Sequence, residues 1–301
     1  MSMETLKIGD RGSEVKTLQL LLSQKGFDLI TDGIFGEGTE DIVEAFQKKN
    51  KLIVDGIVGK GTWAVLLKTD ETPDCINDTK YLLTTAGYEP EPFTKKNIVL
   101  HHTNGWTVKR GEPSMNHFHW WKSYWGEDNG RAKVATAFSI DYDGNIYQHF
   151  DPVMWAYHLG LGSKKNYLDK QSIGIELCNE GSMTKEEDGK FYWYSGKQAI
   201  KYNRPDDEPI FVKDGWRGYK WFAPYSKKQI DASEWLVKYL CDKYKIEMNF
   251  IKDCNYHSEI LDGKFEGIYN HANVRDYPSS RPKWDLSPAF PFRDFNKKLG
   301  K

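Results

Sequence analysis

Two adjacent histidines stand at the end of a short apolar run. Residues 98–100, Ile-Val-Leu, predict a buried strand, and His101 and His102 follow it directly. Successive side chains of a strand point to opposite faces of its sheet. Only one of the two imidazoles can therefore enter a site on a given face, where it could bind a metal ion or transfer a proton.

A glutamate and a Lys-x-Asp pair also occur where charge is costly. Glu176 lies in the otherwise apolar strand predicted over 172–177, on the face opposite its two isoleucines. A buried carboxylate without a partner is expensive, so Glu176 should be paired, protonated or functional. Lys283 and Asp285 point the same way if their segment is extended. Taken alone, such a pair is more often a buried salt bridge than a catalytic site.

The sequence predicts further strands and a helix between these residues. Residues 134–148 predict a β-hairpin with its turn at Asp143-Gly144. A glycine-containing loop over 155–160 leads to the strand of Glu176. Ser226-Lys-Lys-Gln229 predicts a capping box at the start of an amphipathic helix. Strands and a helix are thus expected between the first histidines and the late His271.

The motifs, taken in order, resemble those of one enzyme family. A histidine at a strand end, Ser-Ile-Gly-Ile-Glu at 172–176, and His271 followed by Lys-x-Asp at 283–285 resemble the zinc N-acetylmuramoyl-L-alanine amidases. That family includes phage lysozyme-amidases and peptidoglycan recognition proteins. The resemblance covers residues 95–295. It implies an α/β fold with a central mixed β-sheet flanked by helices, and cleavage of the amide bond between N-acetylmuramic acid and L-alanine.

The resemblance also implies roles for individual residues. His101, His271 and Asp285 match the zinc ligands, and such a set leaves a fourth position for water, as a catalytic zinc requires. Glu176 matches the general base that moves the proton of this water to the leaving amine. Lys283 matches the group that stabilises the oxyanion.

Two further histidines are assigned to substrate binding, and one family position differs. His158 falls in a Trp-x-x-His-x-Gly segment that resembles part of the family's substrate groove, and His102 is placed beside it as a second contact. Some family members carry a tyrosine on the hairpin strand where this chain has Thr136, which puts any help from that phenol in doubt.

The other histidines are expected to have ordinary structural positions. His117 and His119 have the spacing of a metal-ligand pair, but residues two apart on a helix do not share a face. Lining of the substrate groove is the alternative for this pair. His149 and His257 are expected at the surface or in packing.

The first seventy residues contain a short repeat. Asp-Gly-Ile-Phe-Gly-Glu-Gly-Thr at 32–39 recurs as Asp-Gly-Ile-Val-Gly-Lys-Gly-Thr at 55–62. Each copy predicts a turn in which Gly33 or Gly56 has positive φ, followed by a threonine that N-caps a helix. With the flanking helical patterns, residues 5–68 resemble the three-helix peptidoglycan-binding domain found on many wall hydrolases. This resemblance implies wall binding but does not identify the contacting side chains.

These patterns predict two domains joined by a polar segment. We expect a peptidoglycan-binding three-helix domain over 1–69, a linker and lead-in over 70–92 with a short helix at 76–88, and a zinc amidase domain over 93–301. Residues 181–222 interrupt the amidase pattern as an insertion, either a lid over the groove or a plain surface hairpin. The four scattered cysteines are expected to be reduced.

Bulk composition restricts the classes of partner. A formal net charge of −1 argues against nucleic acid, and no run approaches the roughly 20 apolar residues of a membrane span. Met1 to Gly12 lack the apolar stretch of a signal peptide, so we expect the protein in the cytoplasm of the producing cell, acting on the wall after release. It is expected to be a monomer.

The leading hypothesis is a zinc-dependent, endolysin-like amidase whose partner is bacterial peptidoglycan. One alternative is a cytoplasmic amidase that recycles muropeptides, although soluble fragments need no wall-binding module. A non-catalytic peptidoglycan recognition protein is the other alternative, but such relatives typically lack a zinc ligand, and here every catalytic position is filled.

Overall fold

The computed structural model describes the chain over residues 5–66, 81–103, 116–122, 132–195, 198–204, 207–278 and 283–300. Residues 70–80 of the predicted linker lie outside these ranges. Residues 82–88, expected to end a short helix, are an irregular segment with one turn at 85–87, and most of the rest of that prediction falls on undescribed residues. No helix in the described ranges is long and apolar enough to cross a bilayer.

The N-terminal part contains three helices, α1 (Ser13–Gln24), α2 (Glu37–Lys49) and α3 (Lys60–Leu66), around one hydrophobic core. Gly33 and Gly56 have φ of 78° and 66°, which confirms the predicted turns. Each turn is held by a buried glutamine of the preceding helix. Gln19 donates to Asp32, Ile34 and Thr39 in the first copy, and Gln47 bonds the equivalent groups of the second.

The predicted threonine caps are wrong. Helix α2 begins after Gly36 without a side-chain cap, and the Thr39 hydroxyl donates to the Ile34 carbonyl. Thr62 lies inside α3 and donates to Ile57 in the same way. The threonine hydroxyls also accept from the side-chain amides of Gln19 and Gln47, which are buried and need hydrogen-bond acceptors.

The second part is built on a five-stranded mixed sheet. Its strands are β1 (Asn97–His102), β2 (Phe138–Ile140), β3 (Ile146–Gln148), β4 (Ser172–Leu177) and β10 (Gly267–Asn270), in the order β10-β1-β4-β2-β3. Strands β10, β1, β4 and β2 run parallel, and β3 pairs antiparallel with β2 through the predicted hairpin. The α/β fold class with a mixed sheet is therefore confirmed.

Helices cover this sheet and complete its core. They are α4 (Asn116–Trp120), α5 (Asn166–Gln171), α6 (Lys227–Tyr244) and α7 (Phe292–Lys298). Ser226 caps α6 as predicted, accepting from the Gln229 N–H at 3.0 Å. The Gln229 amide does not complete a capping box; it donates to the carbonyls of Ile140 and Cys178 at 3.0 and 3.1 Å and so ties α6 to the sheet.

The insertion over 181–222 is a second sheet. Strands β5 (Ser182–Lys185), β6 (Phe191–Ser195), β7 (Gln198–Lys201), β8 (Ile210–Trp216) and β9 (Tyr219–Phe222) pair in the order β7-β6-β5-β9-β8. Buried Met183, Trp193, Tyr202 and Ala223 form its own small core. This segment is thus more than the single surface hairpin considered from the sequence.

The register of the parallel strands determines which side chains meet. His101 of β1 is paired with Glu176 of β4, which is paired with Ser139 of β2. Val99 is paired with Tyr269. His101 and His271 each come two residues later, so they point to the same face of the sheet as this pair. Paired residues of parallel strands point to one face, so His101, Glu176 and His271 belong to one end of one face of the sheet.

Candidate active site

Three buried side chains converge at the carboxyl ends of β1 and β10. His101 Nδ1 lies 3.0 Å from His271 Nδ1 and 3.0 Å from Asp285 Oδ2, and His271 Nδ1 lies 3.1 Å from the same carboxylate oxygen. Their exposed fractions are 3%, 2% and 5%. The backbone N–H of Ala272 also donates to the Asp285 carbonyl at 2.6 Å. The structure therefore brings together the three residues predicted as metal ligands.

Hydrogen bonds on the far side of the His101 ring assign its tautomer. The Ser172 hydroxyl donates to the Leu168 carbonyl at 2.6 Å, so its oxygen accepts from His158 Nε2 at 2.9 Å. His158 Nδ1 is then an acceptor, and it lies 2.9 Å from His101 Nε2. His101 consequently carries its proton on Nε2, and its Nδ1 lone pair faces His271 and Asp285.

His271 is oriented in the same way. Its Nε2 lies 2.9 Å from the Leu159 carbonyl, which can only accept, so Nδ1 carries the lone pair. Burial lowers the pKa of His271 to about 4, so the ring is neutral near pH 7. Burial disfavours the charged form of Asp285, whereas a positive charge shared with His271 and His101 would hold the pKa of this carboxyl well below its ordinary value. The ionised carboxylate therefore needs a cation within this group.

This donor set fits a zinc ion. Three lone-pair atoms 3.0–3.1 Å apart need a positive charge among them, and a proton can bridge only two of them. Zinc bonds of about 2.0–2.2 Å place tetrahedral ligand atoms about 3.3 Å apart, close to this spacing. Two imidazoles and one carboxylate also form a ligand set used by catalytic zinc. The three side chains could thus hold one metal ion and leave a coordination position free.

Glu176 and Lys283 lie near these residues without direct partners. Within the described ranges, neither side chain makes a hydrogen bond, and no ion pair within 4.0 Å joins Lys283 to Glu176 or Asp285. Burial and the negative charge of Asp285 raise the pKa of Glu176 well above its ordinary value, while Lys283 opposes the shift. Burial thus favours the neutral form of the Glu176 carboxyl, and no ion pair within the described ranges neutralises Lys283.

Comparison with known sequences places this site in a family. A sequence profile of the N-acetylmuramoyl-L-alanine amidases matches residues 92–286, which is more than half of the chain. The chain belongs to the N-acetylmuramoyl-L-alanine amidase family. A second profile, of a peptidoglycan binding domain, matches residues 11–66.

Several solved structures resemble parts of this amidase-family chain. The N-acetylmuramoyl-L-alanine amidase LysC from Clostridium intestinale is 17% identical, with a TM-score of 0.36, over 69% of this chain and 87% of that one. A mutant endolysin from Bacillus subtilis is 18% identical, with a TM-score of 0.38, over 73% and 96%. The Burkholderia AP3 phage endolysin is 43% identical, with a TM-score of 0.22, over 23% and 27%. The chain thus spans about a quarter of the last protein.

In this amidase-family chain His158 lies behind a candidate metal ligand. Its side chain is 4% exposed, and both ring nitrogens are engaged by His101 and Ser172. Asp169 accepts from the backbone N–H groups of His158 and Leu159 at 2.8 and 2.9 Å. This position differs from the substrate contact expected from the sequence, because a ring with both nitrogens bonded inside the protein has none left for a ligand.

His102 is not brought into the site. It lies on the opposite face of the sheet, 3% exposed, with Nδ1 2.6 Å from the Tyr225 hydroxyl. The expected substrate contact does not fit this position, since the alternation that directs His101 to the site directs its neighbour into the core.

The remaining histidines are mostly structural, as expected. The Ser139 hydroxyl lies 2.7 Å from Nε2 of both His117 and His149, and both rings are buried. His119 is exposed, and His257 contacts Asp253 and Glu259 near the surface. None of the four belongs to the group around His101.

Several supporting residues were not singled out in the sequence. Ser172 and Asp169 orient the candidate ligands through His158 and Leu159, and only the three-dimensional hydrogen-bond pattern reveals this. Gly174 does have a sequence signal, in the Ser-Ile-Gly-Ile-Glu motif. A Cβ at Gly174 would lie 2.8 Å from Thr136 Cγ2 and 3.3 Å from His158 Nδ1, so only glycine leaves room for these neighbours.

Proposed function

We propose that the protein is a zinc-dependent N-acetylmuramoyl-L-alanine amidase that cleaves the bond between N-acetylmuramic acid and L-alanine of the peptidoglycan stem peptide. One observation carries the proposal: two imidazole lone pairs and one carboxylate converge within 3.1 Å of one another, in tautomers assigned by their outer hydrogen bonds. The family profile over 92–286 supports the choice of substrate.

His101, His271 and Asp285 would hold the zinc ion. When bound, zinc lowers the pKa of a water molecule to about 7 and polarises the scissile carbonyl. The hydrogen bonds from His101 to His158 and from His271 to Leu159 keep the two ligand rings in one orientation and one tautomer. Such outer contacts strengthen metal binding because the ligands need no reorganisation.

Glu176 would act as the general base and then as the general acid. Its carboxyl is on the same sheet face as His101, and burial raises its pKa above the ordinary value, which favours a group that holds a proton between the two transfers. It would accept a proton from the attacking water and deliver it to the nitrogen of the departing L-alanine. This transfer avoids the expulsion of an unprotonated amine anion.

Lys283 would stabilise the negative charge that develops on the carbonyl oxygen. Within the described ranges its ammonium group has no carboxylate within 4.0 Å, so its charge is not already neutralised by an ion pair. A fixed charge near the reacting carbonyl favours the transition state over the uncharged ground state. Thr136 supplies no such help, because its hydroxyl donates to the Phe138 carbonyl at 2.9 Å.

The N-terminal residues would hold the enzyme on the cell wall. In this proposal residues 1–69 bind peptidoglycan, 70–92 connect the two parts, and 93–301 form the amidase, in the manner of an endolysin that reaches the wall after release. The connecting segment contacts the N-terminal domain, since the Thr85 hydroxyl donates to Glu14 at 2.5 Å. Bacterial peptidoglycan is the proposed partner of both domains.

Metal content and wall digestion test the proposal together. Wild-type protein should contain one zinc per chain, lose wall-lytic activity when a chelator removes it, and recover activity with one equivalent of zinc. His271→Ala should lose both zinc and activity, whereas His257→Ala, which alters a histidine near the surface, should retain both. Full activity of metal-free protein, or equal zinc in the two variants, would contradict the proposed site.

A further inference from the structure

The candidate metal site depends on a loop that leaves and re-enters it. His271 lies at the start of a 3₁₀ turn, His271–Val274, and Lys283 and Asp285 come after ten or more intervening residues. The backbone bond from Ala272 to Asp285 is one direct link between the two segments. A side chain from the insertion sheet provides a second one.

Arg217 bridges both segments from the turn between β8 and β9. Its Nη2 donates to the carbonyls of Ala272 at 3.1 Å and Arg275 at 2.8 Å, and its Nη1 donates to the carbonyl of Lys283. The Trp284 indole N–H returns a bond to the Arg217 carbonyl at 3.2 Å. The guanidinium therefore contacts the residue after one candidate ligand and the candidate oxyanion residue itself.

The local backbone at Arg217 is unusual for a residue with a long side chain. Trp216 and Tyr219 are paired, so Arg217 and Gly218 form a two-residue hairpin turn in which both have positive φ, 47° and 90°. Such turns favour asparagine, aspartate or glycine at the first position, and a residue with a long side chain is disfavoured there. Backbone strain of this kind persists where the surrounding contacts determine it.

We infer that Arg217 is a positioning residue that fixes Lys283 and Asp285 relative to His271, so that the insertion over 181–222 supports the catalytic site. The inference rests on the proposed function, because it concerns the same metal and oxyanion groups. A guanidinium suits the task because its planar fork donates in several directions at once, which a lysine ammonium does less well. Loss of the fork leaves carbonyls of the loop without their donor.

Arg217→Asn is the sharpest test, since asparagine suits the turn but cannot reach the three carbonyls. We expect its zinc dissociation constant, measured by competition with a chromophoric chelator, to rise 10–100-fold, as when other outer contacts of metal ligands are removed. At saturating zinc, kcat on a soluble muropeptide should fall while KM stays within about twofold, because the loss concerns the transition-state groups. Arg217→Lys should give an intermediate zinc affinity.

Arg204→Gln is the matched control. Arg204 is also buried in the insertion, where it pairs with Glu180, and it makes no bond to the 271–285 loop within the described ranges. Arg204→Gln should therefore lower the melting temperature and leave the zinc affinity unchanged.

Equal weakening of zinc binding in Arg204→Gln and Arg217→Asn would overturn the inference. Wild-type zinc affinity and kcat in Arg217→Asn would overturn it as well. If Arg217→Asn does not fold, the comparison of Arg217→Lys with wild type decides in the same way. Absence of zinc from wild type would instead refute the proposed function.

Discussion

His158 offers a prediction that separates two roles for the same residue. As a substrate contact, the role expected from the sequence, its loss would raise KM and leave zinc binding unchanged. As the acceptor that holds the His101 tautomer, its loss would weaken zinc binding, because the His101 Nε2–H would have no partner and the ring could turn. The structure supports the second role, so we expect the effect in metal affinity.

The perturbation is His158→Leu, with His158→Asn as its control. Leucine removes both ring nitrogens, whereas the asparagine side-chain oxygen can accept from His101 near the position of Nδ1. Loss of such an outer contact typically weakens metal binding 10–100-fold, which corresponds to about 1.4–2.7 kcal/mol. A buried N–H left unpaired costs a similar amount, about 1–3 kcal/mol, so the two figures are consistent.

The assay is zinc competition with a chelator, followed by steady-state kinetics at saturating zinc. His158→Leu should bind zinc 10–100-fold more weakly than wild type, and His158→Asn should recover most of the loss. If His158→Leu binds zinc like wild type and only KM rises, then His158 contacts substrate and the assignment of the His101 tautomer is wrong.

Three further substitutions test the remaining residues. Glu176→Gln should keep zinc and the melting temperature but lower turnover about 10²–10⁴-fold, since it removes the proton carrier; turnover within a few-fold of wild type would assign the base elsewhere. Lys283→Met should lower kcat by orders of magnitude with little change in melting temperature, and a large fall in stability would show instead that it is part of a buried ion pair. Gly174→Ala should destabilise the protein by about 1–3 kcal/mol through overpacking against Thr136, measured by denaturant unfolding; an unchanged midpoint would refute that steric argument.

The sequence predicted the parts of the site that depend on strand alternation and ordered motifs. The apolar run before His101 predicted β1, and the costly charge of Glu176 in an apolar strand predicted a carboxyl that is paired, protonated or functional. The late His271 and Asp285 were assigned only through the family resemblance. The mixed sheet, the hairpin over 134–148 and the positive φ of Gly33 and Gly56 were predicted correctly.

Contacts between loops could not be predicted, because they depend on how distant segments pack. The sequence placed His158 in the groove, but the fold of 158–172 turns its ring behind His101, where Ser172 holds it. It placed His102 beside the substrate, although the alternation already noted for β1 directs that ring into the core. The bonds of Arg217 span 55–66 residues of sequence and have no local signal.

The most direct test of the account is to identify the bond that the full-length protein cleaves. Purified peptidoglycan should be digested, and new amino groups and new reducing sugar ends measured on the same samples. We predict that amino groups of L-alanine appear in step with the loss of turbidity, without new reducing ends, and that Glu176→Gln yields neither. New reducing ends, or amino groups of any residue other than L-alanine, would contradict the proposed amidase activity.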